Sequence, residues 1–236
     1  EGSGSGEGSG SGEGSGSGEG SGDASEVRNY IVNEGYDSYA KDTALSATIN
    51  NNSPYSWVFT NSGENYAKVV PKTEVTNTAD ASDMCILLPG KSAVSVGYYL
   101  RLNEAFSLAS GAGTDKLAIE MDVACVDAAY NINFTDQDVQ LGSVLKSTAV
   151  DETYTWIVSN KLKYPCSMTD GTFAKLKVVI DQSTQKWSAY WNGTLMTSYK
   201  SGTTEFGAIC ITETDSTGSA KLYIDNIKIY KMETTE

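Results

Sequence analysis

One segment, residues 175–195, constrains the fold more than any other part of the chain. Aliphatic residues first alternate with polar ones as far as Asp181, and after a polar interval the alternation resumes at Lys186 with tryptophan and alanine. A period of two residues is typical of β-strands, and the pair Asn192-Gly193 that closes the second run is a tight-turn signal. The segment therefore predicts a β-hairpin followed by a second tight turn.

The same alternation recurs between polar turns along the rest of the chain, and no window keeps a helical period beyond two turns. The strands predicted in this way are residues 55–60, 67–70, 84–88, 95–103, 116–126, 130–135, 141–146, 153–159, 172–181, 186–192, 205–212 and 220–232. Short strands at this spacing are typical of two packed antiparallel sheets. The sequence thus predicts an all-β fold, a two-sheet antiparallel β-sandwich or jelly roll.

The first 22 residues differ in composition from the rest. They repeat EGSGSG three times, end in EGSG and contain no apolar side chain. Such a segment buries too little surface to offset its chain entropy, so residues 1–22 are predicted to be a flexible linker, natural or engineered. Residues 23–236 show no second break and are predicted to form one domain. Because the linker suggests neighbouring domains, we expect a monomeric module within a larger multidomain protein.

Charge, cysteine and histidine content exclude several classes of protein. Without the linker, 26 acidic residues face 17 basic ones that do not cluster, which argues against nucleic-acid binding. No apolar run approaches the about 18 residues of a membrane span. The cysteines lie at least 40 residues apart, so a local zinc site is excluded and free thiols are favoured over disulfides. Histidine is absent, which removes histidine-activated nucleophiles and histidine metal sites.

Two of the predicted strands indicate a polar surface that contains aromatic rings. Tyr99 and Arg101 are expected to point outward from residues 95–103, and Glu120 and Asp122 outward from residues 116–126. If both pairs lie on one sheet, that sheet presents a ring, a guanidinium group and two carboxylates together. Proteins hold sugars with such sets, because a ring stacks on the apolar face of a pyranose and polar groups bind its hydroxyls.

Other aromatic residues are further candidates for stacking on a sugar. Tyr154 and Trp156 lie two residues apart, so their rings are predicted about 7 Å apart on one strand face, although a core pair is equally open. Trp57 follows a polar approach that contains a proline, so it is predicted to be exposed in a loop or at a strand edge. Trp191 shares its strand face with Trp187, and at least one of these two is expected in the core.

Four segments resemble concanavalin A-like (laminin G-like) β-sandwich modules. They are residues 32–39 (VNEGYDSY), 117–123 (LAIEMDV), 178–193 (VVIDQSTQKWSAYWNG) and 222–230 (LYIDNIKIY). The resemblance implies a carbohydrate-binding module of a bacterial polysaccharide degrader, secreted or attached to the cell surface. A starch-type α-glucan is the first expectation, because staggered aromatic rings suit a curved glucan chain.

The resemblance also implies a structural calcium ion. Asp225 occupies the position of a calcium ligand in the closing strand, and Glu34 or Asp37 would contribute from the opening segment. Calcium takes six to eight oxygen ligands, so backbone carbonyl groups would have to complete the site. A solvent-facing pair Asp225-Asn226 with no metal remains open as the alternative.

The same superfamily includes laminarinase-type endoglucanases, which carry a catalytic strand Glu-x-Asp-x-x-Glu. Glu120 and Asp122 match the first two carboxylates, but Ala124 and Cys125 follow where the third is needed. The sequence therefore predicts a non-catalytic polysaccharide-binding module rather than an enzyme. Two alternatives stay open: a glycoside hydrolase or lyase with an atypical site, and a structural or adhesive sandwich that binds protein.

Overall fold

The structure is a computed structural model and describes residues 27–50, 52–61, 63, 66–76, 82–90, 96–107, 115–126, 130–135, 140–147, 155–158, 165–167, 171–200, 205–213 and 219–233. The predicted linker, residues 1–22, lies outside these ranges. No described helix is long and apolar enough to cross a membrane.

The described residues form fifteen β-strands and two short 3-10 helices, Leu45–Thr48 and Lys72–Glu74. The strands are β1 Val27–Glu34, β2 Tyr55–Phe59, β3 Lys68–Pro71, β4 Met84–Pro89, β5 Gly97–Ser107, β6 Lys116–Val126, β7 Tyr130–Thr135, β8 Gln140–Ser147, β9 Thr155–Val158, β10 Pro165–Ser167, β11 Ala174–Asp181, β12 Lys186–Trp191, β13 Thr194–Lys200, β14 Glu205–Glu213 and β15 Lys221–Glu233.

The strands make two antiparallel sheets. One has eight strands in the order β13-β12-β11-β6-β15-β4-β3, with β1 also paired to β15. The other has seven strands in the order β10-β9-β8-β7-β14-β5-β2. The first part of β15 pairs with β4 and the second part with β1, while β6 runs along its other side. This architecture confirms the predicted two-sheet antiparallel β-sandwich.

The hairpin of residues 175–195 forms as predicted. Leu176 lies opposite Trp191 and Ile180 opposite Trp187, so β11 and β12 turn their apolar residues to the same side. Asn192 and Gly193 both have positive φ, 47° and 81°, which is the geometry of a two-residue turn that follows the twist of the strands. β13 then pairs with β12 as the edge strand of the sheet.

The core lies between the two sheets. On β6 the residues Leu117, Ile119, Met121 and Val123 are buried on the inner face, as their alternation predicts. Each fully buried side chain of this size contributes about 1.5–3 kcal/mol through the hydrophobic effect. A smaller apolar cluster covers part of the outer face of the eight-stranded sheet; it contains Val70, Cys85, Leu87, Ala124 and Tyr223.

Three strands escape prediction from the sequence. In β1 the register shifts between Tyr30 and Val32, so a β-bulge interrupts the alternation. The edge strand β13 is mostly polar, and β10 has three residues. None of these strands carries the period-two apolar pattern that reveals the others.

Cys85, Cys125 and Cys210 are free thiols, as the sequence favoured. Cys85 and Cys125 are buried among apolar neighbours. Burial raises the pKa of the Cys85 thiol to about 12, so it carries no nucleophilic thiolate at neutral pH. The side chain of Cys166 in β10 lies outside the described part of the structure.

Candidate functional site

The outer face of the seven-stranded sheet carries the side chains best suited to hold a sugar. Tyr98 and Leu100 of β5 point into the core, so alternation turns Tyr99 and Arg101 outward. Strands β2, β5, β14 and β7 lie side by side here. The outward side chains of this region are called the ring–guanidinium face and are Ser56, Val58, Tyr99, Arg101, Asn131, Asn133, Ala208, Cys210 and Thr212.

The ring of Tyr99 has a defined position because residue 97 is glycine. A Cβ atom at Gly97 would lie 2.8 Å from Cε2 of Tyr99 and 2.8 Å from Oγ1 of Thr60. Real Cβ atoms do not approach other atoms so closely, so a larger residue would displace the ring. The amide of Gly97 also donates a hydrogen bond of 2.9 Å to Thr60 Oγ1. Gly97 therefore holds open the space that the Tyr99 ring occupies.

Arg101 and Tyr99 form a cation–π pair. The guanidinium carbon of Arg101 lies 5.6 Å from the centroid of the Tyr99 ring. Burial and a hydrogen bond with Cys210 raise the pKa of Tyr99, while the charge of Arg101 lowers it to a lesser extent. The phenol is accordingly neutral at physiological pH and offers both a donor and an acceptor next to a fixed positive charge.

Two polar atoms on the ring–guanidinium face are buried without a partner among the described residues. They are Nε of Arg101 and Oδ1 of Asn131. The residues opposite Arg101 on the neighbouring strands are Ser56 and Ala208, neither of which is acidic. A buried polar group without a partner costs about 1–3 kcal/mol. Solvent does not reach either atom, but the half-buried Tyr99 ring and the half-buried guanidinium group of Arg101 beside it are accessible, which makes this face a candidate binding site.

Glu120 and Asp122 do not belong to this surface. They lie on β6 of the eight-stranded sheet, so the condition that one sheet presents them together with Tyr99 and Arg101 is not met. Glu120 accepts hydrogen bonds from Tyr230 at 2.6 Å and pairs with Lys177 at 3.1 Å. Asp122 accepts a 2.9 Å bond from Asn226 and lies 3.6 Å from Lys175. Both carboxylates are thus engaged in contacts within their own sheet.

The tryptophan predictions need correction as well. Trp57 is 8% exposed and Trp191 is 5% exposed, and both pack in the core with Trp187. Trp57 was predicted to be exposed, but it alternates with Tyr55 and Phe59 on the inner face of β2, so its ring is out of reach of a sugar. Tyr154 lies outside the described residues, and Trp156 is described only by its backbone, opposite Lys146 and Cys166. Stacking by these two residues stays a prediction.

The three residues predicted to bind calcium have other partners. Lys72 Nζ lies 2.6 Å from Asp225 Oδ2, Asp37 accepts a 2.7 Å hydrogen bond from the Met84 amide, and Glu34 accepts a 3.0 Å bond from Tyr55. Asp225 Oδ1 is buried without a described partner, but no group of three metal-binding side chains exists among the described residues. The Lys72 ammonium group already balances the charge of Asp225, so a calcium ion bound by Asp225 would have to displace this group. Calcium binding itself stays a prediction.

A cavity of about 620 Å³ lies beside the last residues of β5, and no sequence pattern predicts it. It is lined by Ile31, Pro54, Asn103, Glu104, Ala105, Phe106, Ser107, Asp115, Gln182 and Lys231. Its carboxylates are Glu104, which is exposed, and Asp115, which is half-buried. Neither forms an ion pair with a described lysine or arginine. The cavity thus lies at the end of β5, the same strand that carries Tyr99 and Arg101.

Comparison with known proteins gives no family from sequence but several structural neighbours. No family model and no curated protein matches the sequence. The catalytic domain of a family 131 glycoside hydrolase from Coprinopsis cinerea matches with a TM-score of 0.57 at 12% identity, over 85% of this chain and 94% of that one. A family 131 β-glucanase catalytic domain from Podospora anserina matches with a TM-score of 0.56 at 9% identity, over 88% and 97%.

A sialidase matches with a TM-score of 0.51 at 10% identity over 88% of this chain, but this chain spans only 19% of the sialidase. At sequence identities of 9–12%, the similarity to these structures establishes the fold alone. This fold agrees with the concanavalin A-like sandwich expected from the sequence motifs. It also corrects the prediction that the domain is not an enzyme. The two family 131 domains share this fold over nearly their whole length and are catalytic domains, so the fold does not favour a non-catalytic module.

Proposed function

We propose that this domain is a glycoside hydrolase that binds a polysaccharide strand on the ring–guanidinium face and cleaves it at the neighbouring cavity. The observation that carries the proposal is the pairing of Tyr99 with Arg101 on a face where Arg101 Nε and Asn131 Oδ1 lack described partners. A pyranose that stacks on the Tyr99 ring would place its hydroxyl groups within reach of the half-buried guanidinium group of Arg101.

The cavity offers the chemistry that hydrolysis requires. Most glycoside hydrolases use two carboxyl groups on opposite sides of the scissile bond, one as acid and one as base or nucleophile. Glu104 and Asp115 line the cavity, and no lysine or arginine pairs with them among the described residues. Glu120 and Asp122 are poor candidates for this role, because lysines and hydrogen bonds hold both. The proposal therefore assigns acid and base to Glu104 and Asp115.

Strand β5 connects the two parts of the proposed site. Arg101 and Glu104 lie three residues apart on β5, where the register with β14 shifts, so their Cα atoms are at most about 10 Å apart. One or two sugar units cover such a distance, so a strand bound at Tyr99 could reach the cavity. The structural neighbours support cleavage, because the β-glucanase and the family 131 hydrolase domain are catalytic domains of similar length.

The experiment measures binding and cleavage with the full chain on starch, xylan, β-glucan, mannan and pectin. We expect retardation in a native gel that contains the bound polysaccharide, and release of reducing ends. Tyr99→Ala should weaken binding, and Glu104→Gln or Asp115→Asn should abolish cleavage while binding persists. The matched controls are Tyr30→Ala, which removes an exposed tyrosine from the other sheet, and Glu120→Gln.

Three outcomes would count against the proposal. If no polysaccharide is retained or cleaved, the function is wrong. If Glu104→Gln and Asp115→Asn together leave the rate unchanged, the assignment of the acid and the base is wrong. If the products carry a new double bond, the domain is a lyase and cleaves by elimination.

Substrate and location remain parts of the proposal. A starch-type α-glucan was the sequence-based expectation, and it is one member of the panel. Secretion or attachment to the cell surface is part of the proposal, because a polysaccharide degrader of this kind meets polymers that are too large to enter a cell. Monomeric action within a larger protein stays a prediction.

A further inference from the structure

We propose that the substrate is an acidic polysaccharide and that Arg101 binds the carboxylate of one of its sugar units. This inference rests on the proposed function, because it names the substrate class of the same site. It starts from the charge of the ring–guanidinium face, of which Arg101 is the one charged member.

Lysines in described ion pairs contrast with Arg101. Lys72 pairs with Asp225, Lys175 with Asp122, and Lys177 with Glu120. Each of these lysines thus has a carboxylate partner, and all three carboxylates lie in the eight-stranded sheet. Arg101 has none among the described residues, although the chain carries 30 acidic residues against 17 basic ones. Although acidic residues are in excess, the half-buried guanidinium group of Arg101 has no carboxylate partner in the described part of the chain.

The geometry of the guanidinium group suits a carboxylate ligand. Tyr99 covers one part of the group through the cation–π contact, and Nε is buried and unpaired among the described residues. A carboxylate binds arginine through two parallel N–H···O bonds, and the part of the half-buried guanidinium group that solvent reaches can supply them. A neutral hydroxyl would accept one bond but would leave the partly buried charge without a counter-charge. Arg101 should therefore discriminate between acidic and neutral sugars.

Polygalacturonate and polymannuronate provide the probes, each compared with the same polymer after reduction of its carboxyl groups to neutral alcohols. We expect the full chain to bind the acidic form of one of these polymers about ten- to a hundredfold more tightly than its reduced form, as for a charge-assisted hydrogen bond. Arg101→Met should remove this preference, and Arg101→Lys should restore part of it because a point charge remains. Higher salt should weaken binding of the acidic form alone.

Arg28→Met is the matched control. Its guanidinium carbon lies 5.0 Å from the ring centroid of Tyr230, so Arg28 makes the same kind of contact on the other sheet. It should leave both affinity and preference unchanged. Lys231→Met tests the competing assignment, since Lys231 lines the cavity and is a second described cation near the proposed site. Melting temperatures of all variants show that they are folded.

The outcomes separate this inference from the proposed function. Equal affinity for the acidic and reduced forms, or tight binding of neutral glucans that Arg101→Met does not change, would overturn the inference and leave the hydrolase proposal standing. A preference lost in Lys231→Met but kept in Arg101→Met would overturn the role of Arg101. Failure to bind or cleave any polymer, acidic or neutral, would overturn both proposals together.

Discussion

Tyr230 donates a 2.6 Å hydrogen bond to Glu120 Oε1, although 110 residues separate them in sequence. Lys177 Nζ lies 3.1 Å from the same oxygen and 3.3 Å from the Tyr230 hydroxyl, so the three groups close a small network on the outer face of the eight-stranded sheet. The network links β11, β6 and β15, which are neighbours in that sheet. Its place, across strands and away from the ring–guanidinium face, indicates that Glu120 stabilises the fold.

Glu120→Gln should therefore lower the stability and spare the activity. The substitution removes the charge that the Lys177 ammonium and the Tyr230 hydroxyl bind at a site where Glu120 is 8% exposed. Loss of such a buried, charge-assisted contact costs about 1–3 kcal/mol. Urea denaturation measures the cost, and Tyr230→Phe, which deletes only the donor hydroxyl, should give a similar or smaller loss. A large fall in kcat with unchanged stability would show that Glu120 takes part in catalysis instead.

Glu120→Gln and Glu34→Gln should respond to pH in opposite ways. Burial works to raise the pKa of Glu120, but the hydrogen bonds from Tyr230 and Lys177 outweigh it and the pKa is lowered. The ionised Glu120 then stabilises the fold above the ordinary glutamate pKa, and this stabilisation is lost as pH falls through the folded pKa. Glu120→Gln should therefore destabilise most at neutral pH and progressively less in acid.

For Glu34, burial raises the pKa and outweighs the hydrogen bonds from Tyr55 and Tyr39. The protonated form is favoured in the folded state, so stability present at low pH is lost as pH rises through the folded pKa. Glu34→Gln should match the wild type in acid and be slightly more stable at neutral pH. Chemical denaturation of both variants between pH 3 and 7 (about the range that spans glutamate titration) checks the sign. The same sign of pH dependence in both variants would contradict the prediction.

Trp57→Ala and Trp191→Ala should each lower the free energy of unfolding by about 3–5 kcal/mol, because each opens a cavity in the core. Both rings are buried between the sheets, so neither substitution should reduce sugar affinity at a temperature where the variant is folded. Leu195→Ala is the control, since Leu195 is 54% exposed and should cost no more than about 0.5 kcal/mol. Loss of affinity with unchanged melting would place one of these rings in the site.

The strands and their faces could be predicted because alternation is a local property. Leu117 and Ile119 show it within three residues, and they point into the core. The sheet to which a strand belongs depends on pairing across the whole chain, and no local pattern contains it. For this reason the sequence could not show that Tyr99 and Glu120 lie on different sheets.

The burial of Trp57 agrees with one local sequence pattern and disagrees with another. Tyr55, Trp57 and Phe59 alternate through β2, which indicates an inner face, but the neighbouring proline and asparagines favoured a loop. The cavity that Glu104 lines had no such signal. It depends on where β5 ends relative to Asp115 and to strands from the other sheet, and only the packed structure brings these together.

Gly97→Ala should weaken sugar binding without a change of charge. The added Cβ would lie 2.8 Å from the Tyr99 ring, which has to move away from the guanidinium group of Arg101. If the ring stacks on sugar, the loss should approach that of Tyr99→Ala, about 1–3 kcal/mol by analogy with base–aromatic stacking. Gly35→Ala is the control, because its nearest neighbouring atom lies 3.9 Å from the added Cβ. Calorimetric titration that finds equal affinities for both variants would contradict the assignment of the platform to Tyr99.

Asn226→Gly should be more stable than Asn226→Ala. Asn226 has a positive φ of 51° at the irregularity where β15 changes its register with β6, and its side chain donates 2.9 Å hydrogen bonds to Asp122 and Asp225. Both variants lose these bonds, but only alanine adds the strain of a left-handed backbone, about 1–2 kcal/mol.

The same two substitutions at Asn29 should give the reverse order. Asn29 lies within β1 opposite Lys231, and glycine inside a strand costs about 0.5–1 kcal/mol relative to alanine. Urea denaturation of the four variants therefore separates backbone strain from lost hydrogen bonds. If Asn226→Ala is as stable as Asn226→Gly, the left-handed backbone conformation does not explain the asparagine at this position. Its hydrogen bonds to Asp122 and Asp225 are then the remaining explanation.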